Sequence, residues 1–173
     1  MTTSIPGAAV PTFAGLPDSA RLWIFGVDRE LTIAESVRLL SEVDAFLSGW
    51  KAHGHPLAAA RDWRHERFLL VAVDDRIEAP SGCSIDALSR ILRGLEAALG
   101  LRLLGGGDIW MREPGAGSGI VRVSRGEFRE RAARGEVDAG TTVFDLSLTQ
   151  LGDLRNGRWE LAAGESWHRR YLS

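Results

Sequence analysis

Two short runs constrain this chain more than anything else in it: Leu22-Trp23-Ile24-Phe25-Gly26-Val27 and Phe68-Leu69-Leu70-Val71-Ala72-Val73. Each is nearly continuous in apolar residues, and acidic positions follow each, Asp28 in one case and Asp74-Asp75 in the other. A strand with one wet face alternates apolar and polar residues, so runs of this kind read as strands buried on both faces. A sheet that contains both must therefore be covered twice.

The segments around these runs suggest how. Thr32-x-x-Glu35 is a capping-box pattern, and Ile33, Val37, Leu40, Val43, Leu47 and Trp50 then recur at helical spacing. Lys51 to Pro56 is a loop, Leu57 to Trp63 a weaker strand suited to an edge, and Arg64-His65-Glu66 a turn. A second helix follows Ser81, with the serines of the junction placed to cap it, Ile85, Leu88, Leu92, Leu95 and Leu99 on one stripe and Gly100 where a C-terminal cap belongs. Gly105-Gly106-Gly107 is a turn into a strand at Ile109 to Arg112. The order strand, helix, strand, strand, helix, strand predicts an α+β, ferredoxin-like (βαββαβ) sandwich with antiparallel sheet order 4-1-3-2. The two apolar runs then lie in the middle, Leu57 to Trp63 and Ile109 to Arg112 at the edges, and both helices on one face.

On this reading residues 1–20 are a flexible N-terminal arm, 21–113 the core, and 114–173 a small α+β annex. The annex has a strand at Ile120 to Val123, a helix opened by Ser124-x-x-Glu127, β character at Thr141 to Leu146, and a turn at Asn156-Gly157 before a partner strand from Arg158 to Leu161. Packing of the annex on the core is the expected cover for the sheet's second face. A homodimer is the other means of covering it.

Composition narrows the function classes. A formal net charge of -2 argues against a phosphate backbone as the main partner, so no nucleic-acid role is expected. Lys51 is the only lysine and has no glycine loop before it, which removes the lysine-bearing phosphate loop. Cys83 is the only cysteine, so an intrachain disulfide and a multi-cysteine zinc site are excluded and a cytoplasmic setting is expected. No run is apolar enough for a membrane span, and Met1 to Ala20 lacks the pattern of a secretory leader. No cofactor is expected.

One stretch has the character of a site. In Ser81-Gly82-Cys83-Ser84-Ile85-Asp86 the cysteine falls in the first turn of a helix, where unpaired backbone N–H groups and the positive end of the helix dipole favour an anion or a thiolate. The favoured reading is a non-catalytic binding or regulatory domain, with Ser81, Gly82, Cys83, Ser84 and Asp86 contacting a small anionic ligand or a protein partner. The alternative is a cysteine-dependent enzyme or thiol redox sensor, with Cys83 as nucleophile, His53 or His55 as base and Asp74 nearby. Arg90 lies one residue too far from Cys83 for the C-x5-R spacing of cysteine phosphatases. His53-x-His55 stands without C-x-x-C or H-E-x-x-H spacing, so no metal site is expected.

Several stretches together carry a resemblance: Leu16-Pro17-Asp18-Ser19-Ala20-Arg21-Leu22-Trp23-Ile24, Trp50-x-x-His53-Gly54, Ala72-Val73-Asp74, Ser81 to Asp86, Thr142-Val143-Phe144 and Ser166-Trp167-His168. From about Leu16 to the C-terminus the chain resembles a small bacterial family often labelled ABC transporter ATPase. The resemblance implies bacterial origin and no established activity. The label conflicts with the residues, because such an ATPase needs a phosphate-loop lysine, a signature segment and a Walker B carboxylate. Asp74-Asp75 mimics the last of these alone, and ATPase activity is rejected.

Overall fold

A computed structural model describes residues 12–115 and 119–172. Its elements are β1 (Arg21–Val27), α1 (Ile33–Ser48), β2 (Lys51–Ala52), β3 (His55–Pro56), β4 (Ala58–Arg64), β5 (Phe68–Asp74), α2 (Gly82–Leu99), β6 (Leu103–Leu104), β7 (Ile109–Arg112), β8 (Ile120–Val123), α3 (Arg125–Ala133), β9 (Thr142–Phe144), α4 (Leu151–Arg155) and β10 (Glu160–Ala162), followed by 3-10 turns at Ala163–Glu165 and Trp167–Tyr171. The architecture is mixed α+β with antiparallel sheets: one in the order β4-β5-β1-β6, one in the order β10-β9-β7-β8, and a small β2-β3 hairpin.

The two apolar runs pair with each other, Leu22 opposite Ala72 and Ile24 opposite Leu70, and every residue of β5 is buried. Alternation along the strand then sends side chains to two different cores. Leu69, Val71 and Val73 meet Leu39, Val43 and Leu47 of α1 and Leu88, Leu92 and Leu95 of α2. Phe68, Leu70 and Ala72 join Leu22 and Ile24 on the other face, against Trp110, Phe144, Leu151, Leu154 and Trp159 from the C-terminal half. The second sheet repeats the device: Trp110 and Phe144 point to the first sheet, while Ile109, Met111 and Val143 pack with Phe128 of α3 and Tyr171. The layers are thus helix pair, sheet, sheet, and α3 with the C-terminal turns.

The strand Ile109–Arg112, expected at the outer edge of the first sheet, lies in the second; the two-residue β6 pairs with β1 instead. The reason is its own sequence. Ile109, Trp110 and Met111 are each 0% exposed, and a strand apolar on both faces belongs between layers rather than at a rim.

Two further expectations change. Within α1 the buried stripe is Leu39, Val43 and Leu47, whereas Ile33 (85% exposed) and Val37 (39%) fall to its side. Residues 12–20, expected to belong to a loose arm, are held down: Arg155 pairs with Asp18 and donates to the carbonyls of Phe13 (2.6 Å) and Leu16 (2.8 Å), and the Gly152 N–H donates to Asp18 O (2.8 Å). The remainder of that arm lies outside the described residues. No described helix is long and apolar enough to cross a membrane.

Candidate functional site

The first turn of α2 is anchored from two sides. Ser81 is the N-cap, its hydroxyl oxygen accepting from the Ser84 N–H (3.2 Å), and the Ser84 hydroxyl donates back to Ser81 O (2.8 Å). The buried Trp50 indole N–H donates to Ser84 O (2.9 Å), tying the exit of α1 to the start of α2. Ser84 is therefore buried, with its hydroxyl committed to Ser81 O. Gly82, Cys83 and Asp86 are exposed, and the N–H groups of Gly82 and Cys83 have no acceptor among the described residues. These amides and the Cys83 thiol form the accessible part of the turn.

No hydrogen bond among the described residues joins Cys83 to its expected partners. Lys51 to Pro56, read as a loop, forms the β2-β3 hairpin, whose turn holds His53 (φ 50) and Gly54 (φ 84) in the left-handed region. His53 and His55 are both exposed, and neither makes a hydrogen bond to Cys83 or Asp74. Asp74, 4% exposed, is committed to Arg76: Nε and Nη2 each donate at 2.9 Å and the Arg76 N–H at 3.1 Å. These bonds hold its carboxyl below the usual aspartate range against the opposing effect of burial. It works as a strand-end brace. Among the described residues no three His, Cys, Asp or Glu side chains are grouped to hold a metal ion.

A second polar cluster lies where the β4-β5 turn reaches the second sheet. The turn is closed by the Arg67 N–H donating to Arg64 O (3.0 Å), and both His65 (φ 52) and Glu66 (φ 53) have positive φ. The His65 ring stacks on Trp159 (centroids 5.5 Å apart, planes at 21°) and meets Phe144 edge-on at 5.6 Å. Its Nε2 is 3.0 Å from Glu160 Oε2, and Glu160 Oε1 accepts from Arg112 Nε at 2.7 Å. The Arg64 guanidinium lies over the Trp159 ring, 5.3 Å from its centroid, with Nε donating to Asp62 Oδ2 (2.7 Å). Arg64, His65, Trp159 and Glu160, together with Leu154 and Gly157, line a cleft of about 400 Å³.

Sequence reasoning misses this cluster. Arg64-His65-Glu66 reads as a turn and Trp159-Glu160 as part of a short strand, and His65 and Glu160 are 95 residues apart. The one local signal is a tight turn between strands whose central residues are not the Asn or Gly such turns prefer. Comparison of the chain with protein-family models, with curated proteins and with solved structures finds no match.

Proposed function

We propose that the chain is a non-catalytic binding domain that takes a small anion, or the acidic side chain of a partner, at the first turn of α2. The observation that carries this reading is the pair of exposed, unpartnered amide N–H groups of Gly82 and Cys83 at the positive end of an 18-residue helix. Ser81 keeps a hydroxyl hydrogen to donate, and the exposed Asp86 adds an acceptor for a ligand that brings a donor beside its anionic group. Sheet one, β4-β5-β1-β6, needs no second copy of the chain to cover it, because the C-terminal half already does so. We further read that sheet and its two helices as a ferredoxin-like variant in which Leu103–Leu104 stands in the fourth-strand position. An exposed free thiol suits a reducing, cytoplasmic setting.

The competing reading, a thiol enzyme or redox sensor, draws on the same exposure of Cys83. Among the described residues no hydrogen bond joins Cys83 to a general base, and Asp74 is bonded to Arg76. Two measurements decide. In an amide NMR titration with inorganic phosphate, saturable shifts at Gly82, Cys83 and Ser84 support binding, and their absence sinks it. The second is alkylation of native protein, with Cys83→Ser as blank: slow labelling at neutral pH sinks the thiolate reading, and rapid labelling there would instead establish it.

A further inference from the structure

We propose that the cleft between the β4-β5 turn and the Gly157 turn is a second binding site, for a small organic carboxylate with an apolar body. Its volume of about 400 Å³ is in the range of pockets that hold small molecules. The hydrogen-bonding capacity left over in it is donor capacity. Both Glu160 oxygens are engaged, one by Arg112 and one by His65, so the acid presents no free oxygen. Arg64 uses only Nε, on Asp62, and its Nη1 and Nη2 have no partner among the described residues. Two parallel guanidinium N–H groups match a carboxylate in geometry and charge.

The rest of the cleft suits the remainder of such a ligand. Trp159 and Leu154, 4% and 6% exposed, form an apolar floor. Gly157 at φ 75 leaves the rim without a side chain, with nothing within 4 Å of where its Cβ would stand. The lining residues hold one another in place. His65 is fixed by its stack on Trp159 and its bond to Glu160, in a backbone conformation that a non-glycine residue adopts at a cost. A residue held that firmly in an unfavoured conformation, beside an unfilled donor, is how a preorganised receptor is built.

The test uses the full chain and two isosteric probes, benzoate and the neutral benzamide, followed by amide and indole NMR shifts. Saturable benzoate shifts at 64–66 and 154–160, with affinity there at least about tenfold above benzamide, are expected for a guanidinium–carboxylate contact. Arg64→Gln should remove that difference. Equal responses of these residues to the two probes, no saturation, or no shift at 64–66 and 154–160 overturn the proposal, and the probe comparison is made on the unaltered chain. Residues 81–86 report separately in the same spectra, so failure at the α2 turn and failure at this cleft are distinguishable.

Discussion

Gly26 of β1 provides the space that the Trp110 indole occupies: a Cβ built on Gly26 would stand 2.3 Å from Trp110 Cζ2 and 2.6 Å from Cε2. Trp110 is 0% exposed, lies edge-on to Phe68 at 5.3 Å and is covered by the Arg67 guanidinium at 5.5 Å. The indole thus joins the two sheets at the one point in the first apolar run that has no side chain. Gly26→Ala is expected to destabilise the fold by about 1–3 kcal/mol through overpacking. Trp110→Ala should cost more, about 3–5 kcal/mol. Urea unfolding checks both, and Gly26→Ala should cost much less in a Trp110→Ala background, where the clash is gone.

The first half of the fold was legible because its signals are local. The doubly apolar β1 and β5, the Thr32–Glu35 capping box and the Ser81 and Gly100 caps all declare themselves within a few residues. What could not be read is what depends on distant partners. Gly26 looks like a flaw in a strand until Trp110 is seen against it, and Ile109–Arg112 looks like an edge strand until both of its faces are seen covered. The same holds for the sites. Ser81 was visible as a cap, but the internal bonding of Ser84, the commitment of Asp74 to Arg76 and the meeting of His65 with Glu160 are side-chain choices made by the tertiary fold.

His168 should make stability fall on acidification. It is 0% exposed, stacked on Trp167 at 3.8 Å, with Nδ1 2.7 Å from Ser166 Oγ and Nε2 unpartnered among the described residues. Burial first, opposed by Asp145 and reinforced by Arg170 and Arg125, lowers its pKa from 6.5 to about 4. The unfolded chain therefore binds a proton that the folded chain refuses between those values. Stability is full above about 6.5 and declines as pH falls towards about 4, by at most about 3 kcal/mol at about 1.4 kcal/mol per unit. His168→Leu should flatten this limb in urea midpoints measured across that range; an unchanged limb would exclude His168 as its origin.

Arg29 should govern a separate, more acid window. Its Nη2 donates to Glu35 Oε1 (2.7 Å) and to Leu99 O (2.7 Å), so one guanidinium joins the capping box of α1 to the last turn of α2. That bond first, and the Thr32 N–H second, hold the Glu35 carboxyl down at about 2 instead of 4.5. The stabilisation is present above the unfolded value and is lost as pH falls from 4.5 through about 2. Arg29→Gln should raise the midpoint of acid unfolding followed by far-UV circular dichroism, and the effect should be smaller in a Glu35→Gln background, where the bond to Leu99 O is still left to lose.

Adjacent residues of the β4-β5 turn should respond to glycine in opposite directions. His65 and Glu66 both have positive φ, which costs an L-residue about 1–2 kcal/mol relative to a right-handed conformation. Glu66 is exposed and its side chain makes no hydrogen bond to a described residue, so Glu66→Gly relieves that cost and loses little but unfolded-state entropy. A gain of up to about 1 kcal/mol is expected in urea unfolding. His65→Gly relieves the same backbone but deletes the Trp159 stack and the Glu160 bond, leaving one Glu160 oxygen without its partner. It should destabilise by about 1–2 kcal/mol net, since a lost hydrogen bond and a lost aromatic contact together outweigh the relief. If His65→Gly stabilises as Glu66→Gly does, His65 is merely strained, and the anchoring of the turn to the second sheet contributes nothing to the fold.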